Sequence, residues 1–144
     1  MKVLYFPVGS LQVGWPLTQV QKVIPYPTVY GSGQRPIGLA HFEQQEVIVL
    51  DLHQYLFGQP SASPPTHLTV VRSGGELYGI PCSGIPALME VAPPEIQPLP
   101  PTYRQADTLG LASHVIRRSE EPLTVFLLDS QRLAALCHPA PALS

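Results

Sequence analysis

The stretch from Gly9 to Ile24 (GSLQVGWPLTQVQKVI) returns, with its small residues and prolines in the same places, as Gly74 to Met89 (GGELYGIPCSGIPALM). One constant shift of 65 positions superposes Gly9 on Gly74, Gly14 on Gly79, Pro16 on Pro81, Thr18 on Ser83 and Val20 on Ile85, and carries Val23 and Ile24 onto Leu88 and Met89. Gly38-Leu39-Ala40 returns as Gly110-Leu111-Ala112, and Val49-Leu50-Asp51 as Leu127-Leu128-Asp129. Halves that share turn glycines, breakers and apolar spacing are two copies of one small module, so the fold must carry an approximate internal symmetry. A duplication without a repeated nucleophile or acid–base pair points to a scaffold rather than an enzyme.

A chain of 144 residues fits a single domain over residues 1–144, and 44% hydrophobic content supports a real core and excludes disorder. The 18 prolines and 11 glycines together stay below the roughly 25–30% that marks low-complexity chains, and so punctuate short elements. A net charge of −2, with only 8 Lys and Arg spread thinly, offers no basic footprint for nucleic acid or anionic lipid. Pro7, Gly9 and Gln12 interrupt the apolar start before a signal-peptide core is complete, and no window approaches the roughly 18 apolar residues of a membrane span. The expectation is a cytoplasmic protein without direct membrane insertion. Cys82 and Cys137 lie far apart without a CxxC pattern, so they read as two reduced thiols, Cys82 in a core strand.

Along the chain, Val3 to Val8 and Leu11 to Leu17 read as a hairpin around Gly9-Ser10, followed by a short helix from Thr18 through Val23 that Pro25 and Pro27 stop. Residues 25–36 read as a Pro/Gly/Tyr loop. Ile37 to Phe42 and Glu46 to Leu50 read as strands around a polar turn, and Asp51 as the N-cap of a helix through Phe57. Gly58 to Pro65 (GQPSASPP) is the linker between sub-barrels at 1–60 and 66–136, with strand exchange between them allowed. The second half repeats the order: strands at Leu68 to Val71 and Leu77 to Pro81, a helix near Ser83 to Leu88, a Pro-rich crossover at 93–101, strands at Leu109 to Ile116 and Leu123 to Leu128, and a last helix from Asp129 to about Leu136. About ten short strands make an all-β architecture, two packed five-stranded small barrels of SH3-like or OB-like type with a few short helices. A closed barrel suits such strands because it leaves little exposed edge.

Residues that could carry chemistry do not assemble into a known pattern. The histidines at 41, 53, 67, 114 and 138 show no HxH or HExxH spacing, and Asp51 beside His53 reads as an N-cap because its counterpart Asp129 is followed by Ser and Gln. There is no GxSxG, and GSGQRP (31–36) lacks the Lys-Ser/Thr ending of a phosphate cradle. No catalytic residue, metal or cofactor is assigned. Trp15, matched by Ile80, reads as core or inter-barrel packing ahead of an interface anchor, while Tyr26 and Tyr30 are equally anchors or plugs.

Four stretches in order also resemble the CheW-like domain of bacterial chemosensory adaptors, from about Tyr5 to Leu133. VGWPLTQVQKVI (13–24) resembles the family's aromatic-Gly-apolar step followed by Val-x-Glu-Val-apolar. IGLAHFEQQEVIVLDLHQYLFG (37–58) resembles its Gly-apolar-x-Asn-Leu-Arg-Gly-x-apolar-Ile-Pro-apolar-apolar-Asp-Leu signature. LYGIPCSGIPALMEVAPPEIQPLP (77–100) resembles its second-half strand, helix and Ile-x-Pro-apolar-Pro crossover, and TVFLLDSQRL (124–133) its terminal apolar-Leu-Leu-Asp-x-x-x-Leu.

The resemblance implies two intertwined five-stranded barrels and a non-catalytic role joining a chemoreceptor (methyl-accepting) cytoplasmic tip to the regulatory domain of a CheA-type histidine kinase, with possible recruitment to membrane receptor arrays. It implies contact through Val20, Lys22 and the turn His41, Phe42, Glu43 and Gln44, which match the family's interaction segments. Two departures stand out. His41-Phe42-Glu43-Gln44 replaces Asn-Leu-Arg-Gly, so a carboxylate stands for an arginine and a turn glycine is gone, and Lys22 stands where the family usually has Glu. The joint change of sign leads to the expectation of an inverted Lys22–Glu43 salt bridge, worth about 0–1 kcal/mol if exposed, against the alternative of two unrelated solvated charges. It also points to a divergent pathway such as pilus-driven motility or phototaxis. A different class of function, a small-molecule-binding module with its pocket at the barrel interface, is the alternative.

Overall fold

The hairpin turns show how the repeated glycines are used. In the computed structural model, which describes residues 1–31, 36–100, 110–118 and 122–137, β1 (Lys2–Val8) and β2 (Leu11–Pro16) pair antiparallel with Val8 opposite Leu11. That register leaves a two-residue turn, and Gly9 takes φ 59° in it. Its counterpart Gly74, φ 60°, with Gly75 at 82°, turns β7 (His67–Ser73) into β8 (Glu76–Cys82). Tight hairpin turns require such positive φ, which glycine adopts without a Cβ clash.

The other strands are β3 (Val20–Pro25), β4 (Tyr30–Gly31), β5 (Ile37–Phe42), β6 (Gln45–Leu50), β9 (Ala87–Glu90), β10 (Ile96–Pro98), β11 (Ala112–Arg118) and β12 (Leu123–Leu128). Two short helices, α1 (Leu52–Phe57) and α2 (Ser130–Cys137), follow β6 and β12. The strands form two six-stranded sheets, ordered β3-β7-β8-β6-β5-β4 and β9-β1-β2-β12-β11-β10. Read in that direction the two orders are the same, and each sheet holds the hairpin of the other half of the chain. The sheets therefore do not divide the chain into two successive stretches. Each has one strand more than the expected five, and the short edge strands β4 and β10 fall within segments the sequence reads as loop and crossover.

The exchange explains Gly14 and Gly79. Each sits where its hairpin meets the other half in parallel, Gly14 beside Leu127 and Gly79 beside Val49, and those two residues are themselves equivalent in the duplication. A Cβ on Gly14 would lie 3.0 Å from the Leu4 carbonyl oxygen and from methyls of Val3 and Val125, and one on Gly79 would lie 2.8 Å from Leu68 Cδ2. Close backbone approach, rather than turn geometry, requires glycine here.

Strands buried on both faces explain the long apolar runs. In β6, Val47 and Val49 point into the interior of the first sheet's barrel with Ile24, Ala40, Leu68, Val70 and Leu77, while Ile48 and Leu50 point the other way. In β12, Val125 and Leu127 join Val3, Met89, Val91 and Ile116 inside the second barrel, while Phe126 and Leu128 point outward. The outward sets merge into one shared core that also takes Phe6, Val13, Trp15, Tyr78, Ile80 and Leu133. Trp15 is 0% exposed there, which gives it a packing role. Tyr26 packs against the first barrel's interior, whereas Tyr30 is 63% exposed.

Asp51 and Asp129 cap the helices as the sequence indicates. Asp51 Oδ1 accepts from Gln54 N at 3.1 Å, and Asp129 Oδ1 from Gln131 N at 2.9 Å. The expected helices at Thr18–Val23 and Ser83–Leu88 are not formed. A 3₁₀ turn at Leu17–Gln19 leads straight into β3, and residues 83–86 form a bend and connection into β9. Six residues cannot sustain an uncapped helix, no side chain caps the first turn, and the Ser83 hydroxyl donates to the Ser63 carbonyl instead. Strand pairing supplies a ladder, Ile24 opposite Leu68 and Met89 opposite Val3. Among the described residues no helix is long and apolar enough to cross a membrane.

Candidate functional site

β3 and β5 stand four places apart in the first sheet, yet Lys22 Nζ lies over the Phe42 ring, 5.6 Å from its centroid. The sheet has curled until these strands face each other across a seam. The equivalent seam of the second barrel, between β9 and β11, is bridged by Arg118, whose guanidinium donates to the Glu90 carbonyl and stands 3.8 Å from the Glu95 carboxylate.

The four candidates Lys22, Phe42, Glu43 and Gln44 cluster at the mouth of the first seam. Phe42 opposes Gln45, so Glu43 and Gln44 are the two turn residues between β5 and β6, with φ of 50° and 66°. Both are exposed. This two-residue turn takes left-handed backbone without glycine, unlike those at Gly9 and Gly74. Left-handed backbone costs an L residue roughly 1–2 kcal/mol, so the tip presents two polar side chains at the expense of strain.

The expected Lys22–Glu43 salt bridge is not formed. Phe42 alternates inward and packs against the barrel interior, so its ring, not the carboxylate, lies beneath Lys22, while Glu43 has already left the strand at the turn. A cation over a ring at an exposed site contributes about 0.5–1 kcal/mol. Lys22 follows a register shift in the β3–β7 pairing, between Val20 and Lys22, a feature that re-aims side chains. The other two candidates lie apart. Val20 is half-buried against the shared core, and His41 pairs in register with Glu46 on the opposite face of β5 from Phe42.

Some features here carry no sequence motif. Arg72 Nη2 donates to Gln45 Oε1 at 3.4 Å, bracing the β5–β6 turn from the neighbouring hairpin. Ile85 and Leu88, the counterparts of Val20 and Val23, are 81% and 54% exposed. Their exposure follows from the bend and strand that replace the expected helix.

A cleft of about 290 Å³ opens between the β1–β2 tip, Tyr26, Asp51, His53 and Cys82. Three of its polar side chains already serve the fold. Asp51 caps α1, His53 Nδ1 bonds the Gln59 carbonyl at 2.8 Å, and Cys82 Sγ donates to the His67 carbonyl. Burial, then the Asp51 carboxylate, raises the Tyr26 hydroxyl pKa, and burial raises that of Cys82. No group of three metal-ligating side chains occurs among the described residues.

Comparison with known proteins identifies the architecture. The CheW-like domain matches residues 2–137. The chain belongs to the CheW-like domain family. Among solved structures, the scaffolding protein TtCheW from Thermoanaerobacter tengcongensis superposes with a TM-score of 0.73 at 16% identity, covering 89% of this chain and 88% of that one. No curated protein matches the chain in sequence. At this identity the likeness to TtCheW shows a shared CheW fold.

Proposed function

We propose that the protein is a cytoplasmic chemosensory adaptor of the CheW-like family, without catalytic activity, that holds the regulatory domain of a CheA-type histidine kinase to a chemoreceptor cytoplasmic tip. The observation that carries this reading is the CheW-like match across nearly the whole chain, supported by the strand-exchanged pair of barrels. Polar groups in the cleft at Asp51 are engaged in the fold, which favours a binding surface over a ligand pocket.

The contact face in this reading is the first seam, Lys22, Phe42, Glu43 and Gln44, while Val20 and His41, the other candidates, lie apart from it. Its chemistry is surface complementarity, an apolar ring framed by fixed polar groups that set register. The non-glycine turn and the lysine on β3 suit a divergent pathway, such as pilus motility or phototaxis, over the commonest one. The test is reconstitution: co-sedimentation of the chain with the same organism's receptor tip and kinase regulatory region. Assembly of all three supports the adaptor reading. Failure of the chain to join either partner refutes it.

A further inference from the structure

The duplication supplies an internal control for the contact face. Each barrel closes with a cation at the same seam, Lys22 on β3 in one and Arg118 on β11 in the other. Arg118 is paired within the molecule with the Glu95 carboxylate and also donates to the Glu90 carbonyl. Lys22 is held by an aromatic ring alone, and among the described residues no carboxylate pairs with it. It is exposed and rests against the Phe42 ring, which offers no acceptor oxygen to its N–H donors.

We propose that Lys22 is a specificity-determining residue whose ammonium, pre-positioned by Phe42, pairs with a carboxylate on an acidic protein surface. The inference rests on the adaptor reading for the location of the face and adds the sign of the partner's charge. Glu43 sits one residue from Phe42, exposed at the turn, so the matching surface carries its carboxylate against β3 and a donor or cation against the turn. A rim charge of this kind governs association rate and salt dependence more than total affinity.

Two arms test it on the full chain. In the first, hexaglutamate is titrated and followed by amide chemical shifts. Changes centred on Lys22 and Phe42, absent around Arg118 and abolished in Lys22→Met, support the proposal. No change at Lys22, or equal change at Arg118, overturns it whatever the kinase does. In the second, affinity for the kinase regulatory region is measured at low and high salt. Lys22→Met should weaken it about fivefold at low salt, Lys22→Glu about tenfold or more, and Phe42→Leu should lose the ring-current shift of the Lys22 ε-methylene with an unchanged fold. Wild-type binding that is indifferent to Lys22→Glu overturns the inference and leaves the adaptor reading standing. Absence of wild-type binding with a positive hexaglutamate arm refutes the adaptor reading and leaves the inference standing.

Discussion

Replacing Glu43-Gln44 by Asn-Gly should stabilise the protein while weakening its partner contact. Both residues occupy left-handed backbone, φ 50° and 66°, at roughly 1–2 kcal/mol each relative to the ordinary helical region. Glycine at 44 removes that strain but gives back about 0.4–1 kcal/mol through the freedom of the unfolded chain. The single change Gln44→Gly therefore nets about 0.5–1 kcal/mol. Asparagine tolerates left-handed backbone better than glutamate, and Asn-Gly is the favoured pair for this turn. The double variant should gain about 1–2 kcal/mol, a rise in Tm of about 2–8 °C for a chain of this size. Trp15, the single tryptophan and fully buried, reports unfolding by fluorescence in urea. The slope should not change, because an exposed turn alters little surface on unfolding. A double variant no more stable than wild type would refute the strained-turn geometry. If affinity for the kinase region stays unchanged while stability rises, the turn side chains play no part in binding.

Other changes follow from the same geometry. Gly14→Ala and Gly79→Ala should each cost about 1–3 kcal/mol by urea unfolding, with Leu68→Ala rescuing part of the loss at Gly79 but not at Gly14, where a backbone oxygen blocks the Cβ. Asp51→Ala and Asp129→Ala should each cost about 1 kcal/mol, additively, since the caps serve separate helices. The Tyr78 hydroxyl, donating to Glu76 at 3.2 Å, is pushed up from 10.0 to about 12, first by burial and then by that carboxylate, and burial lifts Cys137 from 9.0 to about 11. Raised folded-state values mean stability that is complete below pH 9 and is lost as pH climbs through about 12. Thermal melts from pH 8 upward should show that decline, and Tyr78→Phe should flatten its upper part while lowering Tm slightly at neutral pH.

Much of the fold is legible because the duplication marks it. Gly9 and Gly74 announce hairpin turns, and Asp51 and Asp129 announce caps, since each signal is local and each occurs twice. The two misread helices lie at equivalent places, Thr18–Val23 and Ser83–Leu88. There a hydroxyl ahead of a short apolar run imitates a cap, and only a non-local partner strand decides the outcome. Exchange of hairpins between the halves is legible in Gly14 and Gly79 only once Leu127 and Val49 are known to lie beside them. The candidate face is legible as a set of residues, but its wiring is not. Charge alone suggests a Lys22–Glu43 pair, whereas the inward alternation of Phe42 and the left-handed turn put a ring beneath the lysine instead.

Size-exclusion chromatography with light scattering, on the full chain alone and mixed with the same organism's CheA-type kinase regulatory region, tests the central claim most directly. The adaptor reading predicts a discrete complex whose mass equals the sum of its parts. Separate elution of the two proteins at tens of micromolar would contradict it.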